Sequence, residues 1–243
     1  MFLHYRTQGF ILNKTNRGEA DRIFTIYTKD FGKLDLLAKA ERKIESKLRA
    51  GLEVFYLSEI EFIQGKTHKT LTDAVLIKNF KNLRGDLKKL KVAHQISDLM
   101  DNLVKGEEPD SKIWQLLIET FETLNSSSVF NLPSSMKMYY YFLWNLLSVL
   151  GYQVELYYCS ICQKKIVPRN ISFSPKEGGL IGKECQDKVK SLQSISSDTV
   201  KILRIILRKD LVILRRLKID DPTFNELKRI SNYYLSGVLE QIK

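Results

Sequence analysis

The feature that most limits how this chain can fold is a change of hydrophobic period near residue 80. Before it, apolar side chains recur at every second position. After it, they recur at every third or fourth. In Arg22–Thr28, Phe24 and Ile26 alternate with Ile23, Thr25 and Tyr27. In Lys33–Lys39, Leu34, Leu36 and Ala38 face one way, and Lys33, Asp35, Leu37 and Lys39 the other. Tyr56–Ile63 sets Ile60 and Phe62 opposite Glu59 and Glu61, while Phe10–Leu12 and Leu71–Ile77 supply a first and a fifth strand. Turn residues separate them at Asn16-Arg17-Gly18, Asp30-Phe31-Gly32 and Gln64-Gly65-Lys66. Glu41–Leu52 alternates poorly and reads as a short helix or mobile loop. Five strands with an insertion after the third form the pattern of an OB-fold barrel, although other five-stranded barrels fit it too.

From Asp86 onward, Leu87, Leu90, Ala93, Ile96, Leu99 and Leu103 fall at helical spacing. Pro109-Asp110-Ser111 starts a second helix carrying Ile113, Leu116, Leu117, Phe121 and Leu124. Asn125–Ser128 and Pro133 read as a break, after which Ser134 or Ser135 caps a third helix ending near Gly151. That helix is apolar nearly all round and should be the buried centre of a bundle. Asp198 starts a further helix, and Asp221-Pro222 caps the last. The fold class is therefore α+β in two domains: a barrel over 1–80 and an all-α helical domain over 81–243, interrupted by a cysteine-containing insertion over 153–192.

Charge narrows the function. Lysine plus arginine number 39 against 28 aspartate plus glutamate, a net charge of +11. The excess is +5 over residues 1–82 and +4 over each of 159–190 and 191–243, with a near-neutral stretch between. Positive zones at both ends suit a polyanion touched by more than one part of the molecule. Lys14, Arg17, Arg22, Lys33, Lys39, Arg42, Lys43, Lys47 and Arg49 crowd the first fifty residues and are the candidate nucleic-acid contacts. Tyr5, Phe10, Tyr27 and Phe31, interleaved with them, are candidates either for base stacking or for the core. Arg204, Arg208, Lys209, Arg215 and Arg216 form the second zone, as a further contact or a solvated helix face.

Catalysis finds no support. Gly65-Lys66-Thr67 lacks the upstream glycine of a phosphate loop, since position 60 is Ile60. His4, His68 and His94 are scattered, and Glu19 with Asp21 is too few carboxylates for a metal-dependent nuclease. The chain reads as a non-enzymatic binding protein with no small-molecule substrate. Met138–Leu150 is too short and too polar for a membrane span, and the start MFLHYRTQGF lacks the apolar stretch of a signal peptide. Three cysteines cannot pair completely, which favours a reducing, cytoplasmic location. Cys159-Ser160-Ile161-Cys162 has metal-knuckle spacing, and Cys185 is the remaining thiol. A second knuckle would need its mate at Gly182 or Lys188. Zinc held by three cysteines and an outside ligand, a ribbon packed without metal, and a redox pair are the three readings.

In order along the chain, Gly9-Phe10-Ile11-Leu12, Glu19-Ala20-Asp21-Arg22-Ile23, Tyr27-Thr28, Phe31-Gly32-Lys33 and Ala38-Lys39-Ala40-Glu41-Arg42-Lys43 with Ser46 and Phe55 resemble the RecO family of bacterial recombination-repair proteins. Phe142-Leu143-Trp144-Asn145-Leu146-Leu147, Leu150-Gly151-Tyr152, and Phe173-Ser174-Pro175 with Gly178-Gly179 before Cys185 continue the resemblance. It implies an OB-fold, a helical bundle and a zinc-ribbon-like insertion. It implies binding of single- and double-stranded DNA, strand annealing, and RecA loading, close to the nucleoid. The implied partners are RecR and the acidic C-terminal tail of the single-stranded-DNA-binding protein. Family members with metal usually carry four cysteines, whereas Gly182 stands at one of those positions here. Some members meet the acidic tail through arginines early in the central helix, and the corresponding candidates here are Lys137, Tyr140 and Tyr141. RNA binding, or scaffolding without annealing, is the alternative function.

Overall fold

A computed structural model of the chain describes residues 3–126, 132–167 and 169–242. They divide into two compact units, 1–129 and 130–243. The first contains β1 (His4–Arg17), β2 (Asp21–Thr28), β3 (Gly32–Ala38), β4 (Leu57–Gln64) and β5 (Lys69–Lys78), which close into a barrel in the order β1-β2-β3-β5-β4. Neighbours pair antiparallel except β3 with β5, which meet in parallel at Leu36↔Lys69 and Leu37↔Thr70. This is the OB-fold expected from the alternation. Its interior holds Ile11, Phe24, Ile26, Leu34, Leu36 and Ile60, with Phe62, Leu71 and Ala74.

Strand β1 is buried on both faces over Gly9–Leu12, which is why that stretch reads as an unbroken apolar run. Ile11 points into the barrel. Phe10 points outward, its ring 4.4 Å from that of Phe121 and 5.8 Å from that of Phe80. Leu12 sits at a register shift in the β1–β2 ladder, and its carbonyl accepts a 2.7 Å hydrogen bond from Ser97. Short helix α1 (Lys81–Arg84), α2 (Leu87–Leu103) and α3 (Ser111–Asn125) thus pack on the barrel's outer wall. The expected boundary near residue 80 marks the end of the barrel, and the next three helices share its compact unit.

Asp86 and Asp110 cap α2 and α3, each accepting from two backbone N–H groups. On α3 the expected inward residues are all buried. On α2 the expected Leu87 is instead exposed and Leu90 half-buried, because the buried stripe runs through Lys89, Val92, Ala93 and Ile96. His94 lies edge-on to Phe55 at 4.8 Å, a packing role.

The second unit is built around α4 (Leu132–Val149), with α5 (Ser197–Leu207), short α6 (Leu211–Arg216) and α7 (Asp221–Ile242). Strands β6 (Ile171–Ser174), β7 (Gly179–Ile181) and β8 (Gln193–Ile195) form a small sheet in the order β7-β6-β8. Residues Tyr140–Leu147 of α4 are all buried, as expected of a central helix. Trp144 stacks on Tyr234 at 4.8 Å and donates its indole N–H to Ser231 at 2.9 Å. Asn145, the polar interruption in this helix, donates to the carbonyls of Tyr141 and Ile206.

The starts of three helices differ from expectation. Pro133 is no break: it lies in the first turn of α4, where its missing N–H leaves no carbonyl unmatched, and Ser134 and Ser135 fall inside the helix. Ser127 and Ser128 lie outside the described residues. Ser196 caps α5, and Asp220 caps α7 by accepting from Thr223 N–H at 3.1 Å. Gly151 does end α4, at φ +95°, with Tyr152 N–H reaching back to Leu147. Among the described residues no helix is long and apolar enough to cross a membrane.

The ring cluster where the helices meet the barrel gives a first prediction. Phe121 touches Phe10, Phe55 and Phe80 and is fully buried. Phe121→Ala should destabilise the 1–129 unit by about 3–5 kcal/mol in urea unfolding. A loss under about 1 kcal/mol would contradict this packing.

Candidate nucleic-acid interface and metal centre

The nine basic residues of the amino-terminal segment separate into two groups. Lys14 is ion-paired with Glu53 at 2.5 Å, Arg22 with Glu41 at 2.9 Å and Lys33 with Asp101 at 3.0 Å. These three are largely spent inside the fold. Arg17, Lys39, Arg42, Lys43, Lys47 and Arg49 are exposed, and none forms an ion pair among the described residues.

The chain between β3 and β4 carries five of these six, and it is pinned at both ends. At its start, Ala40 takes the left-handed conformation at φ +54°, and its N–H donates to Asp21 at 2.8 Å. Glu41 turns inward, only 1% exposed, and accepts from the Arg22 guanidinium through both oxygens. Arg22 is itself steadied by Asn16 at 3.0 Å. At the far end, Leu48 and Leu52 pack on the barrel core, and the Gly51 carbonyl accepts from Ser58 at 2.6 Å. Gly51 lies so close to β5 that a Cβ there would stand 2.2 Å from the Ala74 carbonyl oxygen. A 3-10 turn at Lys47–Ala50 joins the two anchors. Of the two expectations for Glu41–Leu52, a short helix or a mobile loop, the segment meets the first in part: it is anchored at both ends, contains a short 3-10 helix, and points Arg42, Lys43, Lys47 and Arg49 outward beside Ile44 and Glu45.

Neighbouring turns extend this rim. Arg42 donates to the carbonyl of Gly18 in the β1–β2 turn at 3.1 Å. Arg17 on that hairpin lies 2.9 Å from His68 of the β4–β5 turn. The β1–β2 and β4–β5 turns of such a barrel are its usual oligonucleotide-binding loops. The exposed Lys66 thus joins the cationic rim, with His68 beside it as a polar neighbour of Arg17. Sequence alone does not single these residues out, because Gly65-Lys66-Thr67 has the composition of a simple turn; the charge of Lys66 is the available signal.

The proposed stacking aromatics are structural instead. Phe10 and Tyr27 are fully buried. Tyr5 and Phe31 pack against Phe62, with ring centroids 5.3 and 5.5 Å away. What this rim offers a ligand is charge. In the second basic zone, Arg204 donates to the Leu156 carbonyl and lies over the Tyr157 ring at 4.4 Å, which is a structural role. Arg208, Lys209, Arg215 and Arg216 are exposed.

The candidate partner contacts on α4 are withdrawn into the second unit. Tyr140 and Tyr141 are 1% and 0% exposed, and Lys137 is 6% exposed with its ammonium donating to the Leu217 carbonyl. Burial holds the Lys137 ammonium below the usual lysine range. Their helix is surrounded by its own unit, so these three offer a partner no surface.

The cysteines do converge. The sulfurs of Cys159, Cys162 and Cys185 lie within 4.8 Å of one another, although Cys185 is distant in sequence. The Cys159–Cys162 turn closes through Gln163 N–H donating to the Cys159 carbonyl at 2.9 Å, with Gln163 left-handed at φ +59°. Ile181, Ile166, Val189 and Leu192 pack around the buried pair Cys159 and Cys185. Burial would raise the Cys159 thiol, but N–H groups of Cys162, Gly182 and Ile161 aimed at its sulfur outweigh that and bring it down to about 7. Cys185 is pushed up to about 11, first by its hydrogen bond to Cys162 and then by burial. Tetrahedral zinc, with Zn–S bonds of about 2.3 Å, needs sulfurs about 3.8 Å apart, so a small contraction would seat an ion. Three clustered thiols with N–H support fit a metal ion.

The anchoring pair generates a prediction. Glu41→Ala leaves Arg22 without its carboxylate in a largely buried setting. It should cost roughly 2–4 kcal/mol in urea unfolding, and the Arg22→Ala/Glu41→Ala double variant should recover part of that. Strictly additive losses would contradict the pairing.

Known proteins match along the whole chain. The family model described as recombination protein O N terminal matches residues 1–80, and that described as recombination protein O C terminal matches residues 84–243. A protein of Dehalococcoides mccartyi named DNA repair protein RecO is 34% identical over 237 residues, covering 98% of this chain and 91% of the relative. Proteins of the same name from Desulforamulus reducens and Acetivibrio thermocellus are 30% and 28% identical, each over 98% of this chain and over 90% and 93% of their own length.

Proposed function

The chain belongs to the RecO family of DNA repair proteins, and from that membership we propose that it is a DNA-binding recombination mediator that anneals complementary single strands. In this reading it also assists RecA loading together with RecR, on DNA covered by the single-stranded-DNA-binding protein, in the cytoplasm at the nucleoid. The observation that carries it is the exposed, unpaired cationic rim of the barrel: Arg17, Lys39, Arg42, Lys43, Lys47 and Arg49.

The mechanism needs no covalent step. Two DNA strands repel each other through their phosphates. Cations that replace the strands' condensed counterions hold both backbones and lower that repulsion. With no free aromatic at this rim among the described residues, the bases stay available to pair. Arg208, Lys209, Arg215 and Arg216, exposed on the second unit, are further cations available to DNA. The acidic tail of the single-stranded-DNA-binding protein then needs a surface other than Lys137, Tyr140 and Tyr141. Zinc is the metal best suited to the three thiols of Cys159, Cys162 and Cys185.

The test is annealing of complementary oligonucleotides across a salt series. Reversing Arg42, Lys43 and Lys47 to glutamate should slow annealing strongly. It should also flatten the salt dependence of single-strand affinity by about 2 in the log–log slope, since each lost phosphate contact accounts for about 0.7. Wild-type binding without annealing would favour a scaffold role, and an unchanged slope in the triple variant would remove the rim from the DNA interface.

A further inference from the structure

The three-thiol cluster is framed as a four-ligand centre. The turn that a second knuckle would use is still present: Cys185 N–H donates to the Gly182 carbonyl at 2.9 Å, and Gly182 N–H points at the Cys159 sulfur at 3.5 Å. Gly182 has φ −71° and ψ 156°, a conformation open to any residue, so the backbone does not require glycine there. A Cβ built on Gly182 meets nothing closer than Ile166 Cδ1 at 3.8 Å and Cys159 Cβ at 4.0 Å. Space for a side chain beside the sulfurs is thus kept although the side chain is absent. Among the described residues no histidine, aspartate or glutamate puts a ligand atom within this cluster.

What fronts the cluster is a cavity of about 320 Å³. Its walls include Lys164, Lys165, Arg169 and Lys183 against one carboxylate, Glu184, which is held by Lys164 at 2.9 Å. Three thiolates around a divalent ion leave a net charge of −1. A fourth thiolate makes it −2, a charge that a wall with more cations than carboxylates favours and that gives a neutral donor no comparable gain.

Resting on the metal-binding reading of the cluster, we propose that Cys159, Cys162 and Cys185 hold a divalent metal ion whose fourth coordination position, on the Gly182 side, takes an exchangeable small-molecule thiolate from solution. The incoming thiol gives its proton to the buffer and displaces a metal-bound water. The site is then a ligand-exchange centre, distinct from a closed structural zinc knuckle.

Cobalt(II) makes the coordination visible. The full chain, kept reduced with a phosphine, should bind Co²⁺ with the absorption of a tetrahedral three-sulfur site. Added 2-mercaptoethanol should move that band to longer wavelength in a saturable way. Gly182→Cys should start at the shifted position, bind Co²⁺ roughly tenfold tighter or more, and ignore the thiol. Glu184→Gln should leave the starting spectrum unchanged. A wild-type band indifferent to thiol, or a spectrum altered by Glu184→Gln, overturns the open position while leaving metal binding intact. Failure of the wild-type chain to bind Co²⁺, with binding by Gly182→Cys, overturns the metal reading beneath it.

Discussion

The buried contact between Arg22 and Glu41 decides what the amino-terminal barrel can present. A carboxylate that is 1% exposed must be matched in charge, and the Arg22 guanidinium matches it at 2.9 Å. Pulling Glu41 inward fixes the first turn of the chain that follows β3, and the Asp21 contact to Ala40 N–H fixes its direction. Arg42 and Lys43 are thereby turned outward. One cation of the cluster is spent so that its neighbours are displayed, and Lys14 and Lys33 are spent in the same manner on Glu53 and Asp101. The surface available to a polyanion is the set of cations left after the fold has used those it needs.

Much of the barrel was legible in the sequence, and for a physical reason. Side chains of β2, β3 and β4 alternate between an apolar interior and a more polar exterior, so period and facing could be read together. The second buried face was not legible. Phe10 and Tyr27 look like candidates for base stacking until α3 is seen to lie over them, with Tyr27 also bonded through its hydroxyl to Asp110. The start of α2 misled for a related reason: Leu87 has the right spacing but precedes the turn at which the helix meets the barrel wall.

The candidate sites were legible only in part. The crowding of cations in the first fifty residues was visible, but Arg22 and Glu41 are 19 positions apart, and nothing local announces their pairing. Lys66 and His68 were hidden because their turn joins the rim through Arg17, on a different hairpin. On α4, Lys137, Tyr140 and Tyr141 were placed by resemblance, and a helix closed in on nearly all sides by its own unit leaves such positions no outlet. The cysteines were the reverse case. Spacing alone tied Cys159 to Cys162, and folding brought Cys185 to them while leaving Gly182 beside the sulfurs.

The proposed DNA interface is the set of unpaired cations on the barrel rim. The most direct measurement is the acetylation of each lysine, read by mass spectrometry with and without a mixed-sequence single strand at low salt. Protection is expected at Lys39, Lys43, Lys47 and Lys66, with little change at Lys14 and Lys33, which are already held by carboxylates. Protection confined to lysines of residues 130–243, or to the ion-paired ones, would contradict it.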